Sequence, residues 1–175
     1  MRNLRDWELA NVAVIPATIW LMWRGTGDPV GAWTRRAVGV AAVSYLLFQG
    51  GLYWHVKLRA LRAGRRELPG WFSTLFGAFH RTNPLLLAAA GVWMVAGATA
   101  ARGGRAEDRA WALVLLVLAA LEHVNYFVRQ LMHDTPADVA YWRRYRRLRR
   151  PPLRDDLDAA AARRRVGRGP VARRP

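Results

Sequence analysis

The chain has no cysteine among its 175 residues. That excludes disulfide staples, thiolate nucleophiles and cysteine-rich zinc or iron–sulfur centres, and it leaves the compartment open. Histidine is scarce too, at four positions. His123 and His133 lie about 15 Å apart on one continuous helix, so they cannot share an ion. His123 with His55, or His133 with His80 or Asp134, are the remaining pairings. No HExxH or carboxylate-x-x-His pattern accompanies them, so no metal site is assigned. Ser44, Ser73 and the threonines have no histidine beside them in sequence, which leaves nucleophilic catalysis without a motif. Acids are few, 12 Asp and Glu against 28 Lys and Arg, for a net charge of +16.

Long apolar runs are also missing, and the shortfall is informative. Ala37–Phe48 and Ala110–Leu121 are each 12 residues long, roughly 18 Å of helix. A bilayer core needs about 30 Å, so a spanning helix must continue through Gln49 in one case and Glu122 in the other. Mean hydropathy is only −0.05, but it averages apolar segments with strongly basic loops.

Four segments read as spans: Trp7–Trp23, Ala37–Val56, Pro84–Ala101 and Ala110 to about Gln130. At the N-terminus Arg2 and Arg5 precede the apolar run as in a signal peptide. Glu8, Asn11 and Pro16 interrupt that run and no small-x-small site follows, so an uncleaved first span is expected. Ala88, Gly91, Val95 and Gly97 give the third span a smooth surface for close packing. Leu68–Phe79, with Phe72, Leu75, Phe76 and Phe79 at helical spacing, reads as a separate interfacial helix, the alternative being a loop whose aromatics dock on the bundle. The expected fold is therefore all-α: a polytopic integral membrane protein with four transmembrane helices in a bundle plus interfacial amphipathic helices. Residues 1–134 form the membrane domain and residues 135–175 a basic cytoplasmic tail.

Orientation follows from Lys and Arg. The N-terminus carries 2, the 57–81 loop 6 and the chain from Arg129 onward 14, while the opposite loops carry 3 each. Both termini are expected in the cytoplasm. The Ala/Arg/Gly bias is what a high-GC genome encodes, and points to a bacterial inner membrane.

The polar residues suggest where function would sit. On a helix running from Ala110 to Asp134, Glu122, Asn125, Tyr126, Arg129 and His133 share one face. A charge at that depth costs about 2.5–3.5 kcal/mol, so Glu122 needs a partner inside the bundle. Gln49 and Tyr53 are the obvious ones, with His123 and His55 near. Gln49-x3-Tyr53-Trp54 resembles Glu122-x3-Tyr126-Phe127, a faint internal repeat that so few positions leave equally to chance. One reading of the cluster is a proton, cation or small-ligand site open to the cytoplasm. The other is interhelical hydrogen bonding, worth about 0.6 kcal/mol per contact. Haem held by His55 and His123 would need the two at equal depth, and His123 lies about seven residues deeper. No cofactor is expected.

In the tail, Thr135-Pro136-Ala137-Asp138 opens a helix. Trp142 belongs to its apolar face, and Arg143, Arg144, Arg146, Arg147 and Arg150 occupy the remainder. That pattern suits anionic phospholipid at a leaflet surface. Nucleic acid is disfavoured because the aromatics lie opposite the arginines rather than beside them. An acidic cytoplasmic protein is the other partner class. The leading expectation is a non-enzymatic membrane protein, followed by a small transporter using Glu122, and last by an intramembrane enzyme or haem protein.

Overall fold

The computed structural model describes residues 30–100, 106–132 and 136–166, together with Ala10, Ala13 and Ala17. Among the described residues the chain is all-helical, with five helices and no strand. They are α1 (Val30–Arg62), α2 (Phe72–Ala100), α3 (Ala106–Phe127), α4 (Pro136–Tyr145) and α5 (Pro152–Val166). The span expected at Trp7–Trp23 lies outside the described residues apart from the three alanines, which are helical.

The bundle is organised by α1 against α3. Arg36, Gly39, Val43, Leu46, Gly50 and Tyr53 recur every three or four residues along α1, and all are buried. Ala112, Leu115, Ala119, His123 and Tyr126 do the same on α3. This spacing makes a continuous seam. A Cβ built on Gly39 would sit 2.8 Å from the Leu115 Cβ, and one built on Gly50 would overlap the Tyr126 ring tip. The two contacts share one offset of 76 residues, so α1 and α3 run parallel. In that register Gln49 lies opposite Asn125, one helical turn from Glu122.

Close packing on small residues is found on α1, and of those expected on the third span Gly91 is half-buried, with a built Cβ 3.4 Å from Leu116 Cδ2. On α2, Ala88 is exposed and Val95 is 68% exposed. The outer face of α3 is an unbroken aliphatic surface: Leu113, Val114, Val117, Leu118 and Leu121 are all exposed. Helices α1 (over Arg36–Arg62) and α3 (over Arg109–Phe127) are long and apolar enough to cross a membrane.

Two helix boundaries depart from expectation. Leu68–Phe79 and Pro84–Ala101 are not separate elements, because α2 runs without a break across Pro84. Proline removes the N–H that would bond the His80 carbonyl. Helix α2 continues because Phe72, Phe76, His80, Asn83 and Leu87 form one inward face on both sides of the break. Phe72, Phe76 and Asn83 are completely buried. Helix α3 ends at Phe127 rather than continuing toward Asp134. The Asn125 Oδ1 accepts from the N–H of Leu131 (2.8 Å) and of Met132 (3.3 Å), capping the carboxyl end. The chain then turns, and the Gln130 N–H bonds the Arg149 carbonyl at 3.0 Å.

Helix α5 starts with Pro152 at its first position, has Asp155 in the first turn and Arg163, Arg164 and Arg165 in the last. Charge and dipole agree at both ends. It lies across the ends of the long helices. Leu153 and Leu157 enter a buried cluster with Tyr53, Val56, Phe72, Phe76, Tyr126 and Phe127.

Candidate functional site

Three helices meet in a sealed polar core. Gln49 (α1) and Asn83 (α2) exchange both amide hydrogen bonds: Gln49 Nε2 donates to Asn83 Oδ1 at 3.1 Å, and Asn83 Nδ2 to Gln49 Oε1 at 2.9 Å. Asn83 Nδ2 is also 3.4 Å from His123 Nδ1 on α3. An amide nitrogen can only donate, so that imidazole nitrogen accepts and the proton resides on Nε2. Neither amide side chain is solvent-exposed at all. A sealed cluster of this kind is stable only because each group has a partner.

The core continues toward the surface through stacked rings. His80 lies face to face with His123 (centroids 5.8 Å) and both stack on Phe127 (5.3 and 5.1 Å). His80 Nε2 then accepts from Arg154 of α5 at 2.9 Å, and Arg154 pairs with Asp158 at 3.4 Å. Burial pushes the His80 imidazole below its ordinary range, helped by the Arg154 and Arg81 cations and opposed by Asp158.

Protonated His80 would present a cation to Arg154. Docking of α5 is therefore fully present above the unfolded histidine value of about 6.5, and weakens as pH falls through the lowered native value. A spin label at Ala160→Cys is expected to gain mobility on acidification. His80→Gln, which still accepts from Arg154 but does not titrate, is expected to flatten that step. A pH step that persists in His80→Gln would assign it elsewhere.

A second junction ties α5 to α1. Lys57 Nζ, the only lysine in the chain, is 2.8 Å from Asp156 Oδ2 and 2.8 Å from Tyr53 Oη. The Tyr53 hydroxyl donates to the same Asp156 oxygen at 2.8 Å. Lys57 also lies over the Tyr53 and Trp54 rings.

The face expected to carry Glu122, Asn125, Tyr126, Arg129 and His133 is divided. Glu122 is half-buried on α3. Asn125 caps the helix end. Tyr126 is buried in the notch at Gly50. Arg129 is exposed beyond the last helical residue, so the shared-face geometry does not extend to it. His133 lies outside the described residues. Gln49 joins His123 through Asn83, Tyr53 turns to Lys57 and Asp156, and His55 is exposed and lines a separate cavity.

Asn83, His80, Arg154, Lys57 and Asp156 were not part of the expected cluster. The signal for two of them was present in Phe72-x3-Phe76-x3-His80-x2-Asn83-x3-Leu87, a helical stripe that the proline obscures.

In the tail, helix α4 ends at Tyr145, with Arg146 at a φ of 51°. The following arginines therefore fold back over the rings, Arg147 over Tyr145, Arg146 over Trp142 and Arg149 over Tyr141, and Arg144 within the helix also lies over Tyr145. The separation of aromatics from arginines expected for a longer helix does not hold. Asp138, buried, pairs with Arg149 at 3.1 Å. Arg143 and Arg144 remain exposed, and Arg150 pairs with Asp155 and Asp158 of α5.

Among the described residues no group of three or more His, Cys, Asp or Glu is placed to hold a metal ion. The chain matches no family model, no curated protein and no solved structure.

Proposed function

We propose that this is a four-span bacterial inner-membrane protein with both termini in the cytoplasm. It acts without catalysis, and its basic cytoplasmic surface engages anionic phospholipid. The observation that carries the reading is helix α3. It is apolar around most of its circumference, yet only 33% of its most apolar stretch is buried. A core helix of a water-soluble protein would hide most of such a surface, because exposed aliphatic patches of this extent are costly in water. On α2, Leu85, Leu86, Val92 and Val95 are exposed as well, which supports a lipid-facing third span. The arginine-over-ring pairs beside exposed Trp142 and Tyr145 suit a headgroup region, where amphipathic rings and cations both concentrate.

The absence of native cysteine makes the test direct. Single cysteines at Thr26, Arg66, Gly104 and Ala160 are probed with a membrane-impermeant maleimide. Positions 26 and 104 are expected to react in intact cells, and positions 66 and 160 only after permeabilisation. The protein should stay in the membrane pellet through carbonate washing. Labelling of 66 and 104 from the same side would overturn the four-span arrangement.

A second reading, a small proton- or cation-coupled transporter, draws on the polar groups near Glu122, although Gln49 and Asn83 are closed to water here rather than open to the cytoplasm as the sequence suggested. Gln49, Asn83 and His123 lie within about one turn of the depth of Glu122. Under that reading Glu122→Gln abolishes pH-dependent uptake in proteoliposomes and leaves thermal stability nearly unchanged. A variant that only unfolds assigns Glu122 to structure.

A further inference from the structure

Beside the turn joining α1 to α2 is a cavity of 810 Å³, within the range that holds a small organic ligand. Its main wall is one face of α1, where Leu52, His55, Val56 and Arg59 follow at helical spacing. The polarity of that wall changes along the axis. Leu52 and Val56, with Leu68 from the turn, make an apolar floor, and Leu52 and Leu68 pack on the buried aromatic cluster. Arg59 and Arg65 make an exposed cationic rim, and His55, also exposed, stands between Leu52 and Val56 on the same wall. Leu52 and Arg59 are two helical turns apart, about 10.5 Å. Trp71 also lines the cavity and is 50% exposed.

The rim lacks a matching anion. Neither Arg59 nor Arg65 has a carboxylate within ion-pair distance among the described residues. Glu67, the one acidic residue lining the cavity, lies 3.8 Å from Arg163 of α5. The rim therefore keeps a net positive charge. A free anion would satisfy the arginines and leave the apolar floor unused, and a neutral apolar ligand would do the reverse. An amphiphile with its anionic group toward the helix end and hydrocarbon toward the span satisfies both.

We infer that this cavity holds one anionic phospholipid of the cytoplasmic leaflet. Arg59 and Arg65 bind the headgroup phosphate, and the glycerol end of the acyl chains lies on Leu52, Val56 and Leu68. Guanidinium groups suit the task because their planar fork meets two phosphate oxygens at once. The site is distinct from the arginine-rich surface of α4, and it rests on the proposed membrane placement of α1.

The test uses the full chain in nonionic detergent, after carbonate extraction has tested the membrane placement on its own. Native mass spectrometry then compares dihexanoyl phosphatidylglycerol, dihexanoyl phosphatidylcholine and inorganic phosphate. Phosphatidylglycerol is expected to bind at least tenfold more tightly than phosphatidylcholine. Arg59→Gln combined with Arg65→Gln is expected to remove that preference. Arg143→Gln with Arg144→Gln should leave it within twofold. Should the first double variant fail to fold by circular dichroism, Arg59→Lys is read instead, with a loss of about threefold expected because charge remains and the fork does not. Equal retention of the two lipids overturns the assignment, as does a preference that survives Arg59→Gln/Arg65→Gln. Phosphate binding as tightly as phosphatidylglycerol overturns it in favour of a free-anion site. Release by carbonate would overturn the membrane placement, and the lipid ratio would still decide the cavity.

Discussion

Asn83→Leu is expected to destabilise the protein by about 1–4 kcal/mol, although leucine has nearly the shape of asparagine and suits an apolar bundle. The substitution deletes both bonds to Gln49 and leaves a fully buried amide with its donor and acceptor unpaired. In a water-soluble core each such group costs about 1–3 kcal/mol. Within a bilayer the unfolded reference state also finds partners, and measured contacts average about 0.6 kcal/mol. Two contacts at the bilayer average set the lower end of the expected range, and two groups at about 2 kcal/mol each set the upper. The decisive comparison is Gln49→Leu combined with Asn83→Leu, which removes both polar groups at once and should recover at least half of the loss. Unfolding monitored by circular dichroism gives both values. A harmless single variant, or a double variant worse than the single, would mean that the amide pair does not hold α1 to α2.

That pair also shows what could be read from the sequence. The all-helical fold was legible because apolar runs and basic loops alternate at helix length. The parallel course of α1 and α3 was implied by counting the crossings between them. The polar core was only half legible. Gln49 was marked because it ends an apolar run, and His123 because it adjoins Glu122, which ends another. Asn83 was hidden because Asn-Pro is a strong helix-start signal, which concealed that the helix was already under way. The end of α3 was missed for a related reason. Without glycine or proline near Phe127, the stop depends on Asn125 reaching six and seven residues ahead. Helix α5 was foreseen as a helix, but its docking depends on Leu153 and Leu157 finding partners in residues about 30 to 100 positions earlier. Local pattern does not carry that information.

The second large effect separates two glycines that look alike in sequence. Gly50→Ala is expected to cost about 1–3 kcal/mol, the usual result of forcing atoms into a filled space. Its Cβ would overlap Tyr126 Cζ and Oη, and that ring is buried on α3 with little room to yield. Gly91→Ala should be neutral, or stabilising by up to about 1 kcal/mol. Its Cβ would meet the end of the Leu116 side chain, Cδ2, at 3.4 Å, while alanine favours helix over glycine. Tyr126→Leu is expected to relieve much of the Gly50→Ala penalty by withdrawing the ring. Thermal unfolding of the four variants tests the set, and equal penalties at the two glycines would contradict the seam described between α1 and α3.

The position of α5 has a consequence for assembly. Leu153 and Leu157 fill the aromatic cluster, Lys57 and Tyr53 share Asp156, and the Arg164 guanidinium bonds the Gly70 carbonyl and the Thr74 hydroxyl. These contacts reach back across roughly 30 to 100 residues, and they come from the part of the described chain that leaves the ribosome last. A nascent chain whose long helices have already packed thus still has an open plug hole where α5 will sit. Synthesis has to run past Leu157 before the hole can be stoppered, so a ribosome stalled just short of that residue should leave Phe72 and Phe76 within reach of chaperones and proteases.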